Sequence, residues 1–203
     1  MDENSGLAIR SLTGDDARGH LDAIAALRIK VFRDWPYLYE GDMDYERDYL
    51  SAYVRSRRSV FVLATDGDSV VGASTGIPLL DDTEAFRAPF ATGDMDAAEV
   101  FYFGESVLLP EYRGRGLGHA FFDHREAHAR SFGDYRWTAF AAVDRKADDP
   151  RKPAGHRGND AFWAKRGYVR QPGMTMRLHW DEVGIGETGH SLTFWLRELE
   201  AAR

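Results

Sequence analysis

Residues 100–122 read VFYFGESVLLPEYRGRGLGHAFF, a pattern that predicts a buried strand, a sharp turn and the start of a helix. Residues 100–109 are almost wholly apolar or aromatic, which is typical of a strand covered on both faces. Pro110 predicts the end of this strand, because proline lacks the N–H group that a central ladder requires. After the turn, apolar residues recur at helical spacing, at Leu117, Ala120 and Phe121. A central strand followed at once by an amphipathic helix is therefore the predicted centre of the fold.

The junction between strand and helix carries arginine and glycine together, namely Arg113, Gly114, Arg115, Gly116 and Gly118. Glycines leave backbone N–H groups exposed, and the start of a helix adds partial positive charge. With two guanidinium groups beside them, these N–H groups predict an anion site, most naturally for a phosphate or pyrophosphate. The alternative is a plain surface turn, which does not account for the buried strand before it or the helix after it.

Two familiar nucleotide-binding loops do not fit. Gly-x-Gly-x-x-Gly, counted from Gly116, requires a glycine at Phe121, and no Gly-Lys-Ser or Gly-Lys-Thr is present. The pattern at Arg113, Gly116 and Gly118 is Arg-x-x-Gly-x-Gly, directly after Leu-Leu-Pro-Glu-Tyr. This string resembles the coenzyme A signature of the GNAT-type N-acetyltransferases.

Composition restricts the class of protein. The 203 residues are 43% hydrophobic and include no cysteine, so we expect one domain over residues 1–203 without disulfides, thiolate metal sites or a cysteine nucleophile. A net charge of -7 argues against nucleic acid as a partner and favours a cationic one. No window is apolar enough for a membrane span, and the first residues lack an export signal, so a cytoplasmic protein is expected.

The rest of the chain predicts the element order β, α, α, β, β, β, α, β, α, β, β. The first strand is predicted at residues 7–12, helices at about 13–32 and 44–55, and a hairpin at 59–65 and 69–78. The last two strands are predicted at 174–180 and 191–197. Between the first two helices lies an aromatic and acidic segment that either lines a pocket for a positively charged amine or fills a turn; its residues are Trp35, Tyr37, Tyr39, Glu40 and Asp42.

Two motifs point to other chemistry and are interpreted as structural. Residues 72–76 match the Gly-x-Ser-x-Gly elbow of serine hydrolases, but a hairpin surrounds them, so Ser74 is predicted to be a small strand residue. His124 and His128 have the spacing of a helical metal pair, yet no third ligand is evident. We therefore predict no metal and expect both histidines to pack where the helix meets the sheet.

Residues 159–168, NDAFWAKRGY, resemble the last-helix motif of the same family, Phe-Tyr-Glu-Lys-Leu-Gly-Phe. The matching positions are Phe162, Lys165, Gly167 and Tyr168. Trp163 departs from the motif, since it stands where the family often carries the tyrosine that protonates the leaving thiolate. Asn159, predicted to cap this helix, is near enough to replace an asparagine that is often found upstream and is His156 here.

The resemblance implies an α/β fold (mixed α+β) of the GNAT type, with a central mixed and largely antiparallel sheet splayed between strands 4 and 5 and flanked by helices. It implies acetyl coenzyme A as acyl donor, with its pantetheine arm paired to main-chain groups of Ser106, Val107 and Leu108. The pyrophosphate is expected on the N–H groups of the loop, with charge from Arg113 and Arg115 and a further donor from His119. The loop residues are Gly114, Arg115, Gly116, Leu117 and Gly118.

The implied chemistry is direct attack of an amine, on a small molecule or a peptide, on the thioester. Glu105 is the candidate base, because a carboxylate interrupts an otherwise apolar strand; its structural alternative is a salt bridge at a strand bulge. A main-chain N–H beside Val107 is the candidate oxyanion donor. Tyr168, Tyr102 or a water are candidates for protonating the thiolate. The rival function is a domain of the same fold that binds acyl coenzyme A without turnover. As for the oligomeric state, exchange of residues 191–197 between subunits would make a homodimer.

Overall fold

The computed structural model describes residues 6–91 and 95–200. Its strands are β1 Leu7–Leu12, β2 Val60–Asp66, β3 Ser69–Pro78, β4 Val100–Leu108, β5 Trp137–Val143, β6 Val169–Glu182 and β7 Gly186–Glu198. Its α-helices are α1 Leu21–Phe32, α2 Met43–Arg55, α3 Glu84–Arg87, α4 Leu117–Arg130 and α5 Asp160–Lys165. None of the helices in these described ranges is both long enough and apolar enough to cross a bilayer.

The seven strands form one sheet in the order β1-β2-β3-β4-β5-β7-β6. Every neighbouring pair is antiparallel except β4 and β5, which are parallel. These two strands pair only at their beginnings, where Val100–Tyr102 faces Trp137–Ala139, and then diverge. The prediction of a mixed, largely antiparallel sheet splayed between strands 4 and 5 is confirmed.

A bulge in β4 sets the direction of Glu105. Gly76 of β3 pairs with Phe103 and Ser74 pairs with Ser106, so that Gly104 and Glu105 together stand opposite a single residue. An extra residue in one strand changes which face the following side chain occupies. Glu105 consequently points to the face that α1 and α2 cover, where it meets side chains of both helices.

Arg125 of α4 holds the main chain of this bulge from the opposite face of the sheet. Its guanidinium donates to the carbonyl oxygens of Thr75 at 3.2 Å and Glu105 at 3.1 Å. The side chain is almost fully buried, and that burial lowers the pKa of Arg125 to about 10, so the guanidinium is still charged at neutral pH. Charge-assisted bonds from a buried cation keep the bulge in one conformation.

Gly104→Ala is expected to lower the free energy of unfolding by about 1–3 kcal/mol, because overpacking forces neighbours to move. A Cβ atom at this position would overlap the hydroxyl groups of Tyr53 and Thr75. Urea denaturation measures the change. Gly173→Ala is the control, since a Cβ atom there meets nothing within 4 Å. A Gly104→Ala protein as stable as the wild type would contradict this packing.

The two faces of the sheet bury separate apolar clusters. One lies under α1 and α2 and includes Ile24, Leu27 and Leu50. The other lies under α4, whose residues Leu117 and Phe121 repeat at helical spacing and pack on the sheet. Since each face has its own cover, the bulge and the diverging strands lie between two packed apolar layers.

Some sequence-based boundaries were wrong. The helix expected from about residue 13 begins as a 3-10 helix over Gly14–His20, and α1 starts only at Leu21. Gly14 and Gly19 lie in that segment, and glycine disfavours α-helix. The last two strands extend well beyond 174–180 and 191–197, because glycines and polar residues at their ends concealed regular pairing. Strand β7 pairs with β5 and β6 of its own chain.

Ser74 is fully buried within β3, and the strand continues to Pro78 without turning into a helix. Its interpretation as a small strand residue is confirmed, as is the packing of both histidines of α4. His124 bonds to the Ser11 hydroxyl at 2.8 Å, and His128 bonds to the carbonyl of Arg58 at 2.8 Å. Within residues 6–91 and 95–200, no group of three or more acidic, histidine or cysteine side chains could hold a metal ion.

Candidate active site

The loop between β4 and α4 has the geometry of an anion site. Gly114 and Gly116 have φ values of 77° and 83°, a backbone region that disfavours residues with a side chain. Gly116 is the residue before α4, so the first N–H groups of that helix are open toward the same side as the loop. In the described part of the chain, the N–H groups of residues 114–116 donate to no backbone carbonyl.

The two arginines of this loop are exposed and hold only weak contacts. Arg113 donates to the carbonyl of Leu108 at 3.4 Å, and Arg115 donates to the carbonyl of Glu111 at 3.2 Å. Neither forms a salt bridge with any carboxylate among the residues described. Both guanidinium groups therefore have donors left for an anionic ligand.

Two further predicted ligand-binding residues lie where α4 meets α5. His119 is held by Arg166, 3.3 Å from its Nδ1 atom, and its ring packs against Phe162 at 4.8 Å. Asn159 occupies the N-cap position of α5, as predicted, but its side chain makes no capping bond. Because its φ and ψ are helical, the side chain does not point back to the first N–H groups of the helix and stays exposed.

The residues between the bulge and the loop lie on the open side of the wedge. Ser106, Val107 and Leu108 pair with β3, whereas the parallel pairing of β4 with β5 has ended at Tyr102. The edge of β4 that faces β5 is therefore without a strand partner along these three residues, within the part of the chain that is described. An extended ligand can add to such an edge through main-chain hydrogen bonds.

A cavity of about 380 Å³ lies beside the bulge on the α1 and α2 face. Its walls carry a cluster of tyrosines, namely Tyr37, Tyr39, Tyr45, Tyr49, Tyr53 and Tyr102. Burial raises the pKa of Tyr37 to about 12, which keeps this phenol neutral and able to donate at neutral pH. The cavity thus offers ring faces and neutral hydroxyl donors around a small volume.

Three charged side chains meet at the end of the cavity next to the bulge. Arg28 of α1 pairs with Glu46 of α2 and, at 2.5 Å, with Glu105. The Tyr49 hydroxyl donates to the same Glu105 oxygen at 3.3 Å and lies 3.0 Å from the Tyr53 hydroxyl. Burial alone would lower the pKa of Arg28, but the charge of Glu105 and then those of Tyr49 and Glu46 raise it well above its usual value.

The expected structural alternative for Glu105, a salt bridge at a strand bulge, is confirmed. It uses only one carboxylate oxygen, however, because Oε1 of Glu105 is buried and accepts no hydrogen bond. This oxygen belongs to a residue that lines the cavity. One oxygen thus holds the side chain in place, and the other has no hydrogen-bond partner of its own.

A loop with the geometry of an anion site, an open strand edge and an acidic cavity lie along one segment, residues 104–118. The sequence profile of the Acetyltransferase (GNAT) family matches residues 24–149 of this chain. The chain belongs to the GNAT acetyltransferase family. No protein in the curated set of characterised sequences matches the chain.

Solved structures show the same fold over nearly the whole chain. The ribosomal-protein-alanine N-acetyltransferase of Brucella melitensis is 15% identical, with a TM-score of 0.60 over 95% of this chain and 99% of that one. NAA60 of Arabidopsis thaliana, in complex with acetyl-CoA, is 12% identical, with a TM-score of 0.61 over 95% and 98%. An N-acetyltransferase of Staphylococcus aureus Mu50 is 14% identical, with a TM-score of 0.58 over 96% and 99%.

This GNAT acetyltransferase does not bring Tyr168 to Glu105. Tyr168 is buried on the α4 face, where its hydroxyl lies 2.9 Å from that of Thr138 and 3.4 Å from a carboxylate oxygen of Glu126. Burial, followed by the charge of Glu126, raises the pKa of Tyr168. Trp163 packs nearby against Phe140 and Trp195. Tyr102, the other tyrosine considered from the sequence, does line the cavity.

The aromatic segment between α1 and α2 divides between its two expected roles. Tyr37 and Tyr39 line the cavity, whereas Asp42 caps α2 by accepting from the N–H groups of Asp44 and Tyr45. Glu40 pairs with an exposed arginine, and Trp35 lies beneath the Arg145 guanidinium at 5.6 Å. The segment thus contributes rings to the pocket, while its acids act in the local structure.

In this acetyltransferase, Arg145 links the loop after α1, at the rim of the cavity, to strand β6. It donates to the carbonyls of Pro36 at 2.6 Å and Tyr37 at 2.8 Å, and to Glu182 of β6 at 2.7 Å. Although burial alone would raise the pKa of Glu182, the bond from Arg145 lowers it, so the pair is charged. The loop after α1 is thereby fixed to the distal edge of the sheet.

Asp82 is a further cavity residue that sequence reasoning missed. It follows β3 and is 9% exposed; its Oδ1 accepts from the Thr83 N–H at 2.7 Å, while its Oδ2 is buried and accepts nothing. Burial raises the pKa of Asp82 to about 6; the Thr83 N–H and Arg87 oppose the rise, and Glu105 adds to it. The folded chain therefore carries a destabilised carboxylate at neutral pH.

Asp82→Asn is expected to raise the free energy of unfolding at pH 7.5 by about 3 kcal/mol, since the pKa rises from 3.8 to about 6 at about 1.4 kcal/mol per pH unit. A raised carboxylate pKa means that the folded state binds the proton more tightly, so wild-type stability falls as the pH rises from about 4 to 6. Asparagine keeps the acceptor for Thr83 and removes the charge. Urea denaturation should show the gain at pH 7.5 and almost none at pH 4; equal gains at both values would contradict the assignment.

Three cavity residues that were not predicted, Arg28, Glu46 and Asp82, are marked only weakly by the sequence pattern. Arg28 lies four residues after the buried Ile24, and Glu46 lies four residues before the buried Leu50, so both charges fall on helix faces that point to the core. A charge on a buried helix face implies a partner. Asp82 follows a proline-ended strand in a polar segment, and nothing local marks it as buried.

Proposed function

We propose that this chain is an acetyl-CoA-dependent N-acetyltransferase, formed by a single domain over residues 1–203, that acetylates a primary amine of a small molecule or peptide by direct attack. One observation carries the proposal: Glu105, whose Oε1 accepts no hydrogen bond, lines a cavity of tyrosines and acids, on the same segment that leads into the exposed glycine and arginine loop. Such a segment can hold a donor at one end and an acceptor at the other.

The residues assigned to acetyl-CoA fit the groups of that molecule. The pyrophosphate would lie on the N–H groups of residues 114–118, with Arg113 and Arg115 as charged donors. The pantetheine amides would pair with the free edge of β4 along Ser106, Val107 and Leu108. His119 and Asn159 add side chains beside the start of α4. The acetyl-CoA held by the Arabidopsis relative of the same fold supports this choice of donor.

The chemistry requires one proton acceptor near the amine. Glu105 would take a proton from the ammonium, and the neutral nitrogen would then attack the thioester carbonyl, with a main-chain N–H beside Val107 donating to the oxyanion. Breakage of the C–S bond yields the amide and a thiolate, which takes up the second proton lost by the nitrogen. Tyr102 is the better placed of the two tyrosines for that transfer, because it lines the cavity and burial raises its pKa, which keeps it protonated.

A binding domain without turnover is the second candidate, favoured by Trp163 at the position of the usual tyrosine. The two functions separate in one assay, in which release of free thiol from acetyl-CoA is measured with a panel of primary amines. Amine-dependent release supports the enzyme. Binding of acetyl-CoA without release with any amine would overturn the proposal and favour the binding domain.

A further inference from the structure

The cavity beside the bulge contains more buried negative charge than positive charge. Glu46, Asp82 and Glu105 line it with exposed fractions of 0%, 9% and 6%. Arg28 is the buried cation among the described lining residues. Asp48 and Arg55 also line the cavity, but both are exposed and opposite in charge. The buried part therefore has three carboxylates for one guanidinium.

Each of the three carboxylates has an oxygen without a partner. Oε1 of Glu46, Oε1 of Glu105 and Oδ2 of Asp82 are buried and accept no hydrogen bond. Buried carboxylates that lack partners destabilise a fold, and a cationic ligand in the cavity that they line lowers that cost through its charge. The cavity thus favours a cationic ligand. A single ammonium group balances only part of the excess negative charge.

The acids lie in two separate places. Glu46 and Glu105 share Arg28, whereas Asp82 enters from the segment after β3 and shares no hydrogen-bond partner with Glu105. Phe86 of α3 lies four residues after Asp82, and its ring packs 5.1 Å from that of Tyr102. Tyr102 and Glu105 lie on the same strand, β4, and both line the cavity. The cavity therefore has two acidic positions with rings between them.

We propose that the acceptor is a linear diamine, whose reacting nitrogen lies at Glu105 and whose second nitrogen is held, protonated, by Asp82. This inference rests on the proposed function, since it specifies the acceptor of the same site. The second nitrogen keeps its proton during the reaction and balances Asp82 throughout.

The walls between the two acids favour a hydrocarbon chain over a peptide. They consist of ring and aliphatic side chains, including Phe86, Met176, Leu178 and Leu192. A peptide would place amide groups against these walls without hydrogen-bond partners, whereas methylene groups lose nothing there. Ring faces beside the ammonium groups add cation–π attraction.

The test is equilibrium binding of putrescine and butylamine, which share a carbon chain and differ by one amine, to the full chain by calorimetry. Putrescine is expected to bind at least about 10-fold more tightly, with or without coenzyme A. In Asp82→Asn, which is expected to fold with higher stability, the ratio of the two affinities should fall to near one. Asp44→Asn, an exposed carboxylate outside the cavity, is the matched control and should keep the ratio.

Four results would overturn the proposal: no detectable putrescine binding, equal affinities in the wild type, an unchanged ratio in Asp82→Asn, or a peptide with a free N-terminus that competes more strongly than putrescine. Because binding is measured without turnover, the outcome is independent of the thiol-release assay. A preserved putrescine preference with no acetyl transfer would reject the proposed enzyme and keep the diamine site.

Discussion

Reversal of charge at both Arg113 and Arg115 to glutamate is expected to weaken acetyl-CoA binding by at least about 100-fold. A hydrogen bond to a charged group contributes about 1.5–3 kcal/mol, and about 2.8 kcal/mol corresponds to 100-fold in affinity. The double variant removes two such groups and adds two negative charges beside a diphosphate. Both side chains are exposed and free of salt bridges with described carboxylates, so their loss breaks little of the fold itself.

Calorimetric titration of acetyl-CoA measures this effect, and the salt concentration must be low and fixed because exposed charges are screened. Arg18→Glu with Arg57→Glu is the matched control: it makes the same change in net charge at two exposed arginines away from the loop. We expect the control to bind acetyl-CoA as the wild type does. Equal affinity of the Arg113 and Arg115 variant and the wild type would remove the anion site from the proposed function.

The loop was predictable because its chemistry is local. Gly114 and Gly116 must adopt positive φ, and sequence shows glycine at both positions, next to a strand that ends in proline. The order of strands and helices was also predictable, since hydrophobic periodicity is a property of short segments. The splay of the sheet followed from the family resemblance, and the limited pairing of β4 with β5 confirms it.

The cavity was not predictable to the same degree, because its charges come together from distant segments. Arg28 and Glu105 are far apart in sequence and meet only when α1 packs on the bulge. The bulge itself depends on Gly104 facing Tyr53 and on Arg125 across the sheet, and no pattern within β4 reveals either contact. Tyr168 matches the family motif, but it lies just before β6 and its hydroxyl bonds to Thr138 on the α4 face, away from Glu105, which the motif alone does not reveal.

Stability and function are opposed at these acids. Asp82 and the unpaired oxygens of Glu46 and Glu105 destabilise the fold, while nothing in their surroundings within the described residues compensates all three. Strain of this kind persists in proteins where a ligand uses it. The carboxylate whose removal in Asp82→Asn should stabilise the fold is therefore also one whose removal should lower affinity for a cationic acceptor.

Glu105→Gln is expected to lower kcat by about 10²–10⁴-fold, the usual contribution of a general base. Glutamine has nearly the same shape and keeps an oxygen that accepts from Arg28 and Tyr49. Arg28 is not left without a charged partner, because Glu46 still pairs with it, so the substitution should not unfold the protein. Affinity for acetyl-CoA should be unchanged, since the loop that holds the diphosphate is untouched.

The pH profile separates a base from a merely structural glutamate. If Glu105 is the general base, the pH dependence of kcat/KM in Glu105→Gln should differ from that of the wild type. Glu187→Gln, at an exposed position on β7, makes the same chemical change outside the cavity and should behave as the wild type. If Glu105→Gln keeps the wild-type rate across the pH range, the amine loses its proton by another route, and Glu105 serves only to hold Arg28.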